Sequence, residues 1–144
     1  MKNIILVVEC IIEWQEKFLL IERPQGVHAG GLLAFPGGKV DPIDTQNNLQ
    51  ILETAVKREI LEEVGLSLQS DPHYVMNSFF EDSKGNAILD VIFYARLDGR
   101  HADVLPSPRE VVSFQWMNAK ELKSANNCPP WVLTYLETAK KLYP

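Results

Sequence analysis

The residues best placed to do chemistry are three glutamates, Glu59, Glu62 and Glu63, which lie one, four and five positions after Arg58. On a helix, carboxylates three and four positions apart are neighbours and repel one another by a few tenths of a kcal/mol per pair in water, and by more where solvent is excluded. A divalent cation among them would remove that repulsion. An all-oxygen cluster without His or Cys suits Mg²⁺ or Mn²⁺, which share their remaining positions with water and phosphate oxygens.

The element that must position these acids is a helix predicted over residues 49–64, with Asn47 or Asn48 as its N-cap and Gly65 as its stop. At about 100° per residue, the apolar side chains form one broad face. Glu59 and Glu63 fall within about 20° of the centre of that face and Glu62 at its edge, so all three are expected to point inward. Lys57 and Arg58 lie on the flanks, where they can brace the acids without sitting among them.

The rest of the chain alternates strands and helices. Strands are predicted at 4–12, 18–22, 74–81, 87–96 and 111–116, a short apolar stretch at 32–35, and further helices at 118–124 and 130–142. Strands and hairpins interleaved with helices predict an α/β (α+β) fold, in which a mixed sheet is covered on both faces. A chain of 144 residues with 46% hydrophobic content is expected to form one domain, residues 1–144.

The composition and charge of the chain limit the kinds of partner that it can bind. The net charge of −5 disfavours binding to a nucleic-acid backbone, which requires clustered Lys and Arg, and an anionic substrate would need a cation between it and the protein. No apolar run is long enough to span a membrane, and Glu9 and Glu13 interrupt the opening run before a signal-peptide core forms. We therefore expect a soluble, cytoplasmic protein. Cys10 and Cys128 lack metal-binding spacing and are expected to be ordinary reduced cysteines.

The segment Arg58–Leu66, with the sequence REILEEVGL, matches the second half of the Nudix box, and Phe35–Asp41 resembles the loop in which that box opens, at Gly38. The chain is therefore similar to the Nudix hydrolases, of the MutT-like kind. The resemblance implies an α/β/α sandwich. It also implies a magnesium-dependent hydrolase that cuts a diphosphate linkage in a nucleoside triphosphate or a nucleoside diphosphate linked to another group, by water attack on phosphorus.

Two features depart from the family pattern. The acid expected six residues after Gly38, usually Glu, is Asp44 here, and thirteen residues separate it from Arg58 where the family has seven. The six added residues either lengthen a surface loop or add a turn to the helix, at modest entropic cost. The helix is expected to persist, whereas the contacts of Asp41 and Asp44 are left open.

The resemblance also implies residue roles. Glu59, Glu62 and Glu63, with the backbone carbonyl of Gly38, would hold one to three magnesium or manganese ions, and Arg58 would orient Glu59 through a charge-assisted hydrogen bond. Glu110, six residues before Trp116, is a further metal ligand, a general base or an ordinary loop residue. The proton of the attacking water would pass to Glu59, Glu63 or Glu110, and the sequence does not choose among them.

Five residues are candidates for substrate binding. Arg23 would reach a phosphate or is a surface residue, and Gly37 would allow the backbone close to phosphate or forms a plain turn. Lys39 belongs to the same loop. Phe35 would stack on a base or fill the core. Asn127, beside Asn126, would read a purine edge or is a turn residue.

Alternatives of other classes remain. The segment at 28–31, which contains His28, resembles the MutT-type branch and, more loosely, the coenzyme A diphosphatase branch, so a coenzyme A or dinucleotide substrate stays open. A catalytically silent module that binds a nucleotide is also possible, although inward acids disfavour it. Removal of a messenger-RNA cap would require a basic surface that this chain lacks. The expected partner is a small nucleotide, and homodimers are common in the family.

Overall fold

The computed structural model describes residues 3–27, 29–100 and 102–144, and His28, of the segment singled out above, lies outside them. The described residues form a seven-stranded mixed sheet and three α-helices. The strands are β1 (Ile4–Trp14), β2 (Lys17–Glu22), β3 (Leu33–Ala34), β4 (Gly37–Lys39), β5 (His73–Glu81), β6 (Ala87–Arg96) and β7 (Ser113–Met117). The helices are α1 (Ile51–Val64), α2 (Ala119–Ser124) and α3 (Pro130–Leu142), and a short 3-10 helix spans Pro42–Thr45.

Strand β1 organises the sheet, whose order is β3-β2-β1-β6-β5. It pairs in parallel with β6 along almost its whole length and antiparallel with β2 at one end and β4 at the other. Strand β7 adds to the far edge of β2. A nearly continuous apolar run suits a central strand that is covered on both faces.

Each face of the sheet has its own core. One core packs under α1 and contains Val8, Cys10 and Ile12 of β1, whereas the other packs under α3 and contains Ile11. Alternate residues of β1 thus enter opposite cores, as the two-residue period of a strand requires. The predicted α/β fold, a mixed sheet between helical layers, is confirmed.

Helix α1 begins later than predicted. It starts at Ile51 rather than residue 49, and its N-cap is Gln50, not Asn47 or Asn48. Both Asn48 and Gln50 have left-handed φ angles, 57° and 52°, which a continuing helix does not allow. The added residues therefore lengthen an exposed loop and add no helical turn. At the other end Gly65, with φ of 70°, caps the helix as predicted and donates its N–H to the carbonyl of Leu61.

The predicted bounds of β6 and α3 are confirmed, whereas some other boundaries differ by one to a few residues. Strand β1 runs on to Trp14, because Gln15 and Glu16 both adopt positive φ angles and form a tight two-residue turn into β2. Strand β7 lies at Ser113–Met117 instead of 111–116. Strand β4 was not predicted as a strand, since two glycines carry little strand signal. None of the helices in the described part of the chain is long and apolar enough to cross a membrane.

Candidate active site

The inner face of α1 presents two carboxylates toward the sheet. Glu63 is 7% exposed and the side chain of Glu59 is 12% exposed, whereas the side chain of Glu62 is 58% exposed. The helical-wheel prediction is therefore confirmed for the orientation of Glu59 and Glu63. It is wrong for Glu62, which lies beyond the edge of the packed face, so two acids point inward rather than three.

Strand β4 lies against these two acids, and its glycines are required by the protein itself. A Cβ at Gly37 would collide with the backbone carbonyl of Val8 on β1, and a Cβ at Gly38 would occupy the position of the Glu59 carboxylate. The N–H of Gly37 donates to Oε1 of Glu63 at 3.2 Å. The Gly37 N–H thus binds a carboxylate of the site, and the close approach of this backbone to phosphate stays a prediction.

Arg58 joins three segments of the site, which are helix α1, strand β4 and the 3-10 helix. Its Nη1 donates to Glu59 Oε1 at 2.9 Å and to Glu62 Oε2 at 3.1 Å, and its Nη2 donates to the carbonyl of Lys39 at 3.0 Å. It also binds Asp44, a buried acid within the 3-10 helix, and lies 3.7 Å from Asp41. The orienting contact to Glu59 that the resemblance implied is present, and the lengthened loop leaves the contact with Asp44 intact.

The loop before β7 is fastened to the end of α1 by its backbone. The N–H of Leu105 donates to the carbonyl of Val64, and the N–H of Ser107 donates to the carbonyl of Glu63, both at 2.8 Å. These bonds satisfy carbonyls that the helix itself leaves unpaired. Glu110 follows in an exposed turn, with its N–H bonded to the carbonyl of Ser107, and its charge raises the pKa of both Glu59 and Glu63. The structure thus brings Glu110 to the acid cluster.

The electrostatics of the cluster show excess negative charge. Burial, with the charges of Glu110 and Glu59, raises the pKa of Glu63 to about 8, although the Gly37 N–H and Arg23 oppose the shift. Burial also raises the pKa of Glu59, against the opposing hydrogen bond from Arg58. A cation held between the two carboxylates would reverse both shifts.

The donor set fits a hard divalent cation that keeps part of its water shell. Among the residues that the structure describes, no three His, Cys, Asp or Glu side chains converge into a closed metal cage. Magnesium does not need one, because it commonly binds through one or two carboxylates and completes its shell with water and phosphate. Glu59 and Glu63 provide the carboxylates, and Gly38, which leaves room for the Glu59 carboxylate, brings a backbone carbonyl beside them.

The predicted substrate-binding residues differ in how near they lie to the acids of the site. Arg23 follows β2, and its charge lowers the pKa of Glu63, so it lies near the cluster. The side chain of Lys39 is exposed at the end of β4. Asn127 is half-buried, and its Nδ2 donates to the carbonyl of Gly31 while its own carbonyl accepts from Leu33. Asn127 thereby links the loop before α3 to the start of β3. Its contact with a base stays a prediction.

Phe35 requires a correction. Its side chain is 2% exposed and packs in the core under α3 with residues such as Leu33 and Leu136. A ring enclosed on both faces has no surface on which a base can stack. The core interpretation of Phe35 is therefore right, and its assignment to substrate binding is wrong.

Two acids near the cluster were missed as site residues. Glu9 of β1 pairs through its backbone with Gly37, and it is electrostatically coupled to Glu63 and Arg23. Asp90 of β6 is 4% exposed and lies beside Glu9. The available signal was a charged residue in each of two strands that are otherwise apolar, at Glu9 between Val8 and Cys10 and at Asp90 between Leu89 and Val91.

The sequence matches a known family model and a known relative. The family model described as NUDIX domain matches residues 5–136. A stretch of 64 residues is 41% identical to the CTP pyrophosphohydrolase of Escherichia coli (strain K12), and it covers 44% of this chain and 43% of that protein. The aligned stretch thus spans less than half the length of this relative.

Solved structures share the fold over the whole chain. The MutT protein from Methanosarcina mazei Go1 superposes with a TM-score of 0.79 at 23% identity, covering 99% of this chain and 98% of that one. The MutT NUDIX hydrolase from Burkholderia pseudomallei superposes with a TM-score of 0.77 at 22% identity, covering 95% and 98%. At these identities the likeness concerns the fold.

Proposed function

The chain belongs to the Nudix family, and from this membership and the site geometry we propose that it is a magnesium-dependent hydrolase that cuts a diphosphate linkage in a nucleotide. Its substrate is a nucleoside triphosphate, or a nucleoside diphosphate linked to another group. The observation that carries the proposal is the inward pair of the buried Glu63 and the half-buried Glu59, one helical turn apart against Gly37 and Gly38. A purely structural helix gains nothing from two repelling inward carboxylates.

Glu59 and Glu63, with the carbonyl of Gly38 and the more exposed Glu62, would hold the magnesium or manganese. The bound ion would mask the negative charge of the phosphates and acidify water at the site. Arg58 keeps the Glu59 carboxylate in one orientation through its 2.9 Å hydrogen bond. This fixed geometry matters because small displacements of a ligand weaken metal binding.

The chain's own part in the reaction is positioning and proton transfer. Arg23 would bind phosphate oxygens near the acids. The oxygen of water attacks phosphorus, the bridging P–O bond breaks with its electron pair on the leaving phosphate, and the water proton passes to a carboxylate. Glu63, Glu59 and Glu110 are the candidates for that base. Glu59 is already engaged by Arg58, whereas Glu110 is exposed and close to both others.

The reason to consider a catalytically silent module was the six-residue insertion ahead of α1. Its residues form an exposed loop, and the Asp44–Arg58 contact beside it is intact. This observation supports the enzyme over the module. A nucleotide substrate is the expected partner, and CTP is the first to try, because the relative in Escherichia coli is named for its hydrolysis.

The test is product analysis by anion-exchange chromatography. The protein is incubated with magnesium and a panel of nucleoside triphosphates, nucleotide sugars, dinucleotides and coenzyme A, with a chelator in the matched control. Monophosphate plus pyrophosphate from a triphosphate supports the leading proposal, and two monophosphate-type products from a linked substrate place the protein in another branch. No magnesium-dependent turnover of any compound would contradict the proposal.

A further inference from the structure

A pair of acids lies on the α3 side of the sheet, outside the metal cluster. Strands β1 and β6 run in parallel, with Val7 opposite Asp90 and Glu9 opposite Ile92. Since strand side chains alternate, Glu9 and Asp90 share the face on which Ile92 packs under α3. They are diagonal neighbours on that face, and after burial the charge of Asp90 is what most raises the pKa of Glu9.

Asp90 has an unused acceptor. Its side chain is 4% exposed, and its Oδ1 has no hydrogen-bond partner among the residues that the structure describes. A buried carboxylate oxygen without a partner is costly, and native proteins rarely keep one without a function. Burial raises the pKa of both Glu9 and Asp90, which favours a proton shared within the pair.

The unpaired oxygen is itself buried, and it lies beside a half-buried part of this sheet face. Val7, Ser78 and Phe80 lie around Asp90 and are half-buried, whereas Ile92, farther along β6, is fully covered by the core. The hydroxyl of Tyr135 on α3 bonds to Ser78 at 2.6 Å and forms the far wall. We call this half-buried strip of Val7, Ser78 and Phe80, which lies between the sheet and α3, the cleft.

This cleft joins the catalytic site. Glu9 pairs through its backbone with Gly37, whose N–H donates to Glu63, and the charge of Arg23 acts on Glu9, Asp90 and Glu63 alike. A substrate with its phosphates at Glu63 would extend its uncharged end along the cleft. Two carboxyls repel phosphate, so the group that they meet must be a hydrogen-bond donor.

We propose that Asp90 reads an exocyclic amino group on the nucleobase, with Oδ1 accepting its N–H, while Glu9 acts as a positioning residue that holds the Asp90 carboxylate. The inference rests on the proposed function, because it assumes that nucleotides bind in this orientation. The substrates favoured are nucleotides of cytosine, adenine or guanine, which carry an amino group, over those of uracil or hypoxanthine, which carry an oxo group in its place.

The test compares nucleotides that differ at that position, CTP against UTP and ATP against ITP. We expect the wild type to favour the amino member in kcat/KM by about tenfold or more, the usual effect of one hydrogen bond to a charged acceptor. Asp90→Val should abolish this preference, while turnover of the oxo member is retained. Asp90→Asn, which keeps an acceptor oxygen, should retain part of it. Asp98→Asn, at an exposed site in a distant loop, is the matched control.

The positioning role of Glu9 is tested by the same ratio of kcat/KM between the amino and oxo members. Glu9→Gln can still donate to Asp90 and should preserve much of the preference, whereas Glu9→Leu should lose it. Glu9→Leu also serves if Asp90→Val fails to fold, which circular dichroism would reveal. Equal turnover of both members by the wild type, a variant that slows both members equally, or discrimination between ribose and deoxyribose in place of the base would each overturn the proposal.

Loss of the proposed function would be distinguishable from loss of this inference. If the wild type turns over no nucleotide, its binding of CMP and UMP, and of AMP and IMP, is titrated by NMR without metal. Tighter binding of the amino member that disappears in Asp90→Val supports the base-reading pair even then. Equal binding of both members, or no binding of either, would overturn it.

Discussion

Arg58 and Asp44 form a two-pronged ion pair across the lengthened loop, with Nε to Oδ1 at 2.8 Å and Nη2 to Oδ2 at 2.9 Å. The side chain of Asp44 is 1% exposed and that of Arg58 is 17% exposed. The pair holds the 3-10 helix against α1 and fixes the guanidinium that binds Glu59. The hydrogen bonds from Arg58 lower the pKa of Asp44, so the carboxylate stays charged.

Removing the Asp44 charge should destabilise the fold. Asp44→Asn weakens two charge-assisted hydrogen bonds of Arg58, which keeps Glu59 and Glu62 as partners, and we expect the free energy of unfolding to fall by about 3 kcal/mol. Urea denaturation measures the change. Asp41→Asn is the matched control, because Asp41 lies 3.7 Å from the same guanidinium and its side chain is 57% exposed, so its loss should be below about 1 kcal/mol. Equal effects of the two variants would contradict a special role for the buried pair.

Glu63→Gln should abolish turnover and leave the fold intact. The amide has nearly the volume of the carboxylate but lacks the charge that a cation requires, and it removes repulsion with Glu59. We expect kcat/KM to fall at least about 100-fold with an unchanged circular dichroism spectrum. Glu137→Gln, at an exposed position of α3, is the control. Activity near that of the wild type in Glu63→Gln would remove the basis for the metal assignment.

The two glycines of β4 should respond oppositely to alanine. Gly37→Ala forces a Cβ against the backbone carbonyl of Val8, and a loss of stability above about 2 kcal/mol is expected. Gly38→Ala meets the end of the Glu59 side chain, which can move away, so stability should change by less than about 1 kcal/mol while activity falls. Urea midpoints and kcat/KM of both variants test this. Full activity in Gly38→Ala would show that the position of Glu59 is unimportant.

Without metal, stability should decrease as pH rises. The pKa of Glu63 is about 8 in the folded protein and near 4.5 when it is exposed on unfolding, so the folded state binds the extra proton between those values. This contribution is fully present below pH 4.5 and is lost as pH rises through about 8. Chelator-treated wild type should therefore have a lower melting temperature at pH 8.5 than at pH 6, and Glu63→Gln should flatten the profile. The same slope in both proteins would contradict the assignment.

Magnesium should raise the melting temperature. A cation bound by the folded state alone adds about 1.4 kcal/mol when its concentration is tenfold above Kd, which corresponds to about 5 °C for a chain of this size. The increase should be greater at pH 8.5 than at pH 6, since protons compete for Glu63. Differential scanning calorimetry measures it, and Glu63→Gln should lose most of it. No shift at millimolar magnesium, even with a nucleotide present, would count against the cluster.

Helical periodicity was sufficient to predict that Glu59 and Glu63 face the sheet, because α1 is regular from Ile51 to Gly65. It did not predict the start of the helix, since the left-handed φ angles of Asn48 and Gln50 depend on how the loop closes over Asp44. Nor did it predict the partnership of Glu9 and Asp90. Residues 81 positions apart become neighbours through the parallel pairing of β1 with β6, and a strand pattern does not specify its partner.

The backbone bonds from Leu105 and Ser107 to the last carbonyls of α1 fix the position of the residues that follow relative to the end of that helix. The position of Glu110 therefore depends on its distance along the chain from Ser107, and not on its distance from β6. Residues between β6 and Leu105 can therefore be gained or lost without moving it, whereas one residue inserted between Ser107 and Glu110 would carry its carboxylate away from Glu63. This loop should accordingly tolerate changes of length before Leu105 but not after Ser107.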